Sequence, residues 1–268
     1  TMSSNPAVPE HLAGNFAPVT SELTAFDLPV KGQIPPSLRG SYVRNGPNPQ
    51  SGTSDHWFLG DGMLHGVQLK NGRAEAYRNR WVRTQTLADP ETRFIGEDFS
   101  VDRSIAVANT NIVRHAGRWL ALVETSFPTE VTEDLETVGT HNFSGKLQSA
   151  MTAHPKFCPH TGEMHFFGYG FAPPLLTYHR VDPQGALVQS EEIDVNGPTM
   201  IHDFAITKNY VIFMDLPVIF DAEQAMGLKE ANSGFPYRWS DDYPARLGVM
   251  SRSQPGAPVR WFTISPCY

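Results

Sequence analysis

Ten histidines run through the 268-residue chain, and two of them stand where an imidazole could hold a metal. His154 lies in Met151-Thr152-Ala153-His154-Pro155-Lys156. Pro155 removes a ladder donor and holds the preceding backbone extended, so the ring is presented from a stiff strand start. His202 lies in Met200-Ile201-His202-Asp203-Phe204-Ala205-Ile206-Thr207. Read as a half-buried strand, its alternation sends Ile201 and Asp203 to the face opposite His202. The two histidines are 48 positions apart (202 − 154), so they form no local helical chelate and can meet only where the fold brings strand ends to one axis. A metal-bound imidazole usually donates its other N–H to a carboxylate or carbonyl. Glu124, directly after the apolar run Trp119-Leu120-Ala121-Leu122-Val123, is the carboxylate placed for that role, or else it simply ends a strand at the surface. Imidazole ligands suit iron, zinc, copper or nickel, so ligand chemistry alone does not choose the metal. The other histidines read as ordinary residues: His11, His160 and His179 as surface residues in polar or turn-like surroundings, and His56, His65, His115, His141 and His165 as satisfied strand or loop histidines.

Bulk properties narrow the partners. A composition of 40% hydrophobic and 18% charged residues describes a folded globular chain with material for one large core or two small ones. The net charge of −7, with both signs interspersed, leaves no basic stripe to neutralise a phosphate backbone and argues against nucleic acid as a partner. The first thirty residues lack the cationic start and apolar run of a signal peptide. The longest greasy segment, Val211 to Phe220, is interrupted by Asp215 and Pro217 and is too short to cross a bilayer. Cys158 and Cys267 make neither a disulfide framework nor a zinc ribbon, so a reducing cytoplasm is the expected compartment.

The elements that must position these side chains read as hairpins from about residue 40 onward. Met63–Leu69 and Ala74–Trp81 flank Asn71-Gly72, a dipeptide suited to positive φ and the strongest short hairpin signal. Asn111–His115 and Trp119–Glu124 flank Ala116-Gly117; Leu175–Val181 and Ala186–Val195 flank Asp182-Pro183-Gln184-Gly185. Ile201–Thr207 and Tyr210–Asp215 flank Lys208-Asn209, and Leu247–Ser251 and Val259–Ile264 close the series. Strand pairs at this spacing, with little room for crossover helices, predict an all-β chain of small repeated sheets such as propeller blades, with a sandwich as the alternative. Thr129–Glu136, with Thr132 and Glu133 as capping residues, is the best helix candidate. Residues 1–38 are expected to be an arm wrapped on the body formed by 39–268, and 217–245 an irregular functional loop.

The motifs then bring a resemblance. Gly40-Ser41-Tyr42-Val43-Arg44-Asn45-Gly46-Pro47-Asn48-Pro49 and Trp57-Phe58-Leu59-Gly60-Asp61-Gly62-Met63-Leu64-His65-Gly66 resemble the N-terminal signatures of the carotenoid cleavage oxygenase family. Asn109-Thr110-Asn111, Leu120-Ala121-Leu122-Val123-Glu124, Thr152-Ala153-His154-Pro155-Lys156, Thr161-Gly162-Glu163, His202-Asp203-Phe204-Ala205-Ile206-Thr207 and Gly248-Val249-Met250 follow in the family's order, so the resemblance runs from residue 40 to the last. It implies a seven-bladed β-propeller, of which this chain would hold about four blades. It also implies one Fe2+ on the axis, held by four histidines, three of them oriented by glutamates. Residue by residue, His154 resembles the first ligand, His202 the second, and Glu124 the glutamate that orients the second. The third and fourth ligands have no counterpart, and Trp261-Phe262-Thr263-Ile264-Ser265-Pro266-Cys267-Tyr268 looks like the strand leading to the third.

The implied activity is oxidative cleavage of a carbon–carbon double bond into two carbonyl products, with dioxygen and a lipophilic polyene as reactants and positioning as the protein's main contribution. Stilbene-cleaving members carry a lysine immediately before the orienting glutamate. This chain has Val123, which favours a carotenoid or apocarotenoid over a hydroxystilbene. Val123, Phe127, Phe143 and Phe204 are substrate-tunnel candidates, with core packing the commoner role for each aromatic one. The segment Pro217–Tyr237, with Val218, Ile219, Phe220, Met226, Leu228 and Phe235, is a candidate rim for peripheral membrane contact or a plain surface loop. Rival readings are a non-catalytic propeller platform and a propeller hydrolase with carboxylate and Asn ligands on its metal. The 268-residue chain by itself is expected to bind iron weakly and to lack oxygenase activity, because an unfinished propeller leaves an open edge and an exposed channel.

Overall fold

The computed structural model describes residues 8–98, 100–226 and 235–268. Within them the chain is a series of antiparallel sheets. The first contains β1 (Leu23–Leu28), β2 (Gly40–Pro47), β3 (Gly62–Lys70) and β4 (Arg73–Trp81), in the order β1-β4-β3-β2. The second, β5 (Asn111–His115), β6 (Arg118–Leu122), β7 (Thr129–Val131) and β8 (Thr137–Thr140), and the third, β9 (Lys156–Phe157), β10 (Met164–Tyr169), β11 (Leu176–Val181) and β12 (Leu187–Glu192), are simple meanders. The fourth begins with β13 (Ala205–Ile206) and β14 (Tyr210–Asp215), breaks for the separate pair β15 (Val218–Phe220) and β16 (Tyr237–Trp239), and ends with β17 (Arg246–Ser251) and β18 (Arg260–Thr263).

Turn chemistry sets these hairpins. Asn71 and Gly72 take φ of 51° and 77°, and Ala116 and Gly117 take 47° and 80°, the left-handed pairs whose twist matches that of the flanking strands. The predicted hairpins form at the predicted places, except that the strand expected over Ile201–Thr207 is confined to Ala205–Ile206.

Alternation along each strand decides how sheets meet. On β6, Leu120 and Leu122 enter one core while Ala121 enters another; on β10, Met164 and Phe166 enter one and Phe167 the next. Three clusters result. Leu64 and Val82 meet Ala121 and Val131 between the first and second sheets. Leu120 and Leu122 meet Phe166 and Val181 between the second and third. Phe167 and Tyr178 meet Val211, Phe213 and Met250 between the third and fourth. Each sheet is thus packed against its successor in the chain.

Three expectations change. Thr129–Glu136 is not a helix. Its buried Thr129 and Val131 pair with β6, and the backbone N–H of Glu136 donates to Thr132 Oγ1 at 3.1 Å, so the capping chemistry closes a hairpin turn. The N-terminal segment is more than an arm: β1 is the outer strand of the first sheet, in register from Leu23 opposite Asn79 to Leu28 opposite Ala74. Asn48 fastens it further, accepting from the Val19 N–H at 2.7 Å and donating to the Val19 carbonyl at 2.9 Å. The 217–245 stretch is partly ordered by β15 and β16 and a single helical turn, Ala222–Ala225, while Leu228 lies outside the described residues. No helix among the described residues is long and apolar enough to cross a membrane.

Candidate metal centre

Glu124, His154 and His202 come from three separate loops. Glu124 follows β6, His154 precedes β9 and His202 precedes β13. His202 is therefore not in a strand, and the predicted alternation does not hold: Ile201 and Phe204 are both buried in the core between the third and fourth sheets, and they anchor an arch that leaves His202 exposed. Backbone bonds tie the loops together. The Met151 N–H donates to the Ser126 carbonyl at 3.1 Å, the Thr152 N–H to the Phe167 carbonyl at 2.7 Å, and the Met200 N–H to the Val218 carbonyl at 2.8 Å. Lys156 Nζ pairs with Asp203 Oδ1 at 2.7 Å, so residues beside the two histidines are ion-paired. Gly168 permits the approach of the segment leading to His154: a Cβ there would lie 2.2 Å from the Ala150 carbonyl oxygen.

The result is a cluster in which one donor atom from each of Glu124, His154 and His202 lies within 4.8 Å of the others. The imidazole centroids are 4.5 Å apart and inclined at 65°. His202 Nδ1–H donates to Glu124 Oε1, which fixes the tautomer and leaves Nε2 with a free lone pair. The other carboxylate oxygen, Oε2, accepts from the Tyr169 hydroxyl at 2.8 Å. His154 Nε2 is buried without a hydrogen-bond partner among the described residues, an arrangement costly for a ring nitrogen unless something else completes it. Burial, and after it the neighbouring His202, hold the His154 imidazole below its ordinary pKa and so favour the neutral form a metal needs. Burial and the Glu124 carboxylate push the Tyr169 phenol well above its usual range, so it remains a donor. The donor set fits a divalent transition metal: two imidazole nitrogens, with a carboxylate positioned to orient one of them.

Beside the cluster lies a cavity of about 470 Å³. Val123, Phe58, Phe94, Phe171, Phe220 and Phe235 give it an apolar wall, and Glu124, Tyr169 and His202 stand on its surface. Val123 is where a tunnel residue was expected. Phe127, Phe143 and Phe204 are not among the lining residues: Phe143 and Phe127 pack in the core between the second and third sheets, and Phe204 packs edge-on against Phe167 at 5.1 Å. Their side chains fall on the inter-sheet faces, which local sequence does not reveal. Tyr169 was not foreseen because an aromatic residue at a strand end has the pattern of a core residue. Phe220, Phe235 and Tyr237 came from the segment read as a candidate membrane-contacting rim or a surface loop, not as part of the cavity wall.

The chain matches the retinal pigment epithelial membrane protein family over residues 16–268. It is 40% identical to the carotenoid cleavage oxygenase of Mycobacterium tuberculosis, matched over 99% of this chain and 60% of that protein. It is 36% identical to carotenoid 9,10(9',10')-cleavage dioxygenase 1 of Phaseolus vulgaris, over 98% of this chain and 54% of that one. Among solved structures, Pseudomonas brassicacearum lignostilbene dioxygenase superposes with a TM-score of 0.83 at 31% identity, over 97% of this chain and 57% of that chain. A variant of Synechocystis apocarotenoid oxygenase superposes with a TM-score of 0.76 at 26% identity, over 92% and 57%. The chain thus spans little more than half the length of these relatives. With its serial four-stranded sheets and two imidazoles beside a carboxylate, it belongs to the carotenoid cleavage oxygenase family.

Proposed function

We propose that this protein is an Fe(II)-dependent dioxygenase that splits a carbon–carbon double bond of a carotenoid or apocarotenoid into two carbonyl products, on a seven-bladed propeller to which this chain contributes about four blades. The observation that carries the reading is the buried, unpartnered His154 Nε2 beside a His202 ring whose Nδ1 is held by Glu124. His154 and His202 would hold the metal through Nε2, and Glu124 would orient His202. Fe(II) supplies the redox chemistry by which dioxygen reacts with an electron-rich alkene. The apolar wall excludes water and holds the polyene, and Tyr169 keeps the Glu124 carboxylate turned toward His202. Acid/base catalysis has little part in this scheme.

A hydroxystilbene is the second reading, motivated by the structural likeness to lignostilbene dioxygenase. Val123 on the cavity wall weighs against it, since an aliphatic side chain offers a phenolate nothing. The test offers an apocarotenal, a carotenoid and a hydroxystilbene to the iron-loaded full-length protein under 18O2. Cleavage of the polyenes with label in both carbonyl products supports the proposal. Turnover of the stilbene alone replaces the substrate assignment, and full-length protein that takes up no iron overturns the whole reading in favour of a binding platform. The isolated 268 residues should bind iron weakly and turn over nothing; stoichiometric tight iron in them would refute that expectation.

A further inference from the structure

Arg103 stands where two cavities meet. With Tyr169 and Phe171 it lines both the apolar cavity beside the metal centre and a second one of about 480 Å³, whose walls include Lys146, Gln148, Ser149 and Glu192. In the apolar cavity Arg103 is the sole Lys or Arg among the lining residues. Glu124 is the sole carboxylate there, and both its oxygens are already engaged by His202 and Tyr169. The Arg103 guanidinium makes one side-chain hydrogen bond, from Nη1 to the Thr125 carbonyl at 3.1 Å, and has no ion-pair partner among the described residues. A guanidinium carries five N–H donors in a planar fork, so most of this one's capacity is unspent. Burial lowers its pKa with no neighbouring carboxylate to offset the effect, the mark of a partly desolvated cation without a counter-charge.

Resting on the alkene-cleaving reading above, we infer that Arg103 is a specificity-determining residue that takes an oxygen function at one end of an otherwise apolar polyene. Hydroxyl, carbonyl and carboxylate oxygens all accept from such a fork, the carboxylate best because it is bidentate. The polyene body then lies along the apolar wall while its oxygenated end sits at the partition with the polar cavity. Thr125, whose carbonyl accepts from the guanidinium, follows Glu124 directly in the chain, so the anchor is tied to the loop that carries the carboxylate orienting His202. That tie sets the distance between the anchored oxygen and the metal, and hence which double bond lies at the reaction centre.

The experiment uses metal-free full-length protein and reads quenching of tryptophan fluorescence, so it needs no turnover. Three probes of one polyene length are titrated: the carboxylic acid, the aldehyde, and the hydrocarbon with a methyl group in place of the oxygen function. The wild type should bind the acid at least ~10-fold more tightly than the hydrocarbon, as a charge-assisted hydrogen bond supplies, with the aldehyde between them. Arg103→Met should erase that preference and leave the hydrocarbon's affinity within about twofold. Arg103→Gln keeps a donor toward Thr125 but no charge and should lose the acid preference alone; it serves if the first variant does not fold. Equal binding of the three probes by the wild type, or a preference that survives both substitutions, overturns the assignment. Failure of all three to bind while iron still binds removes the polyene reading and the assignment with it.

Discussion

His154 and His202 share the cluster with very different settings. The first offers a buried, unpartnered Nε2; the second is exposed, with a side chain 53% accessible, and owes its orientation to one carboxylate. Glu124→Gln exchanges the charged acceptor at His202 for a neutral amide. Metal affinity should fall by about 10- to 100-fold, the usual loss when a ligand's orienting partner is changed; titration with Co(II), followed by its d–d absorption, measures it. Tyr169→Phe removes the donor to the far oxygen of Glu124 and should give a smaller loss, with the two effects less than additive in the double variant because they act through one carboxylate. Val123→Lys places an ammonium on the cavity wall beside Glu124. Hydroxystilbene affinity should rise and polyene affinity drop, as competitive binding of the two substrates would show.

At the scale of the strand, the third sheet carries two histidines that serve stability and stay neutral. His165 on β10 and His179 on β11 are buried, His179 against its expected place on the surface because β11 is an inner strand of the third sheet, and both have pKa values lowered to about 4; burial is the main cause for His165, with Arg252 next, and the cause for His179. Their partners suit the neutral ring: Tyr178 lies at 2.6 Å from His165 Nδ1, and Ser149 and Ser190 flank His179 at 2.7 and 2.8 Å. The unfolded chain therefore binds more protons than the fold between pH 6.5 and about 4. Their contribution is whole above that window and is lost as pH falls through it, on the order of 3 kcal/mol each at most. Urea midpoints measured at pH 7, 6, 5 and 4.5 should decline steadily. On the same strand, Phe166 is fully buried between the second and third sheets, so Phe166→Ala should cost about 3–5 kcal/mol in chemical denaturation.

For the whole molecule, the decisive property is that each sheet covers the next. Every core cluster draws on two sheets consecutive in the chain, so stability is distributed along the series, and the last sheet ends in β18, where Phe262 remains 50% exposed. On the proposed reading that further sheets complete the propeller, a chain that spans 60% of its mycobacterial relative should gain from them in two measurable ways. The full-length protein should show a higher thermal midpoint than the 268 residues and a lower tendency to associate in sedimentation velocity, because open sheet edges and uncovered apolar faces invite pairing.

Much of this was legible in the sequence because it depends on short-range chemistry. Asn71-Gly72 and Ala116-Gly117 set hairpins through positive φ, strand alternation set which residues face inward, and the motifs around Glu124, His154 and His202 carried the family resemblance. Where local signals had two meanings, the sequence misled: Thr132 could cap a helix or close a turn, and pairing with β6 decided for the turn. The destinations of Phe127, Phe143 and Phe204, the Tyr169 contact to Glu124, and the placing of Arg103 between two cavities depend on which sheet packs against which. Those contacts join residues far apart in the chain, and only the tertiary structure decides which of them a given side chain makes, because near neighbours carry no information about a distant partner.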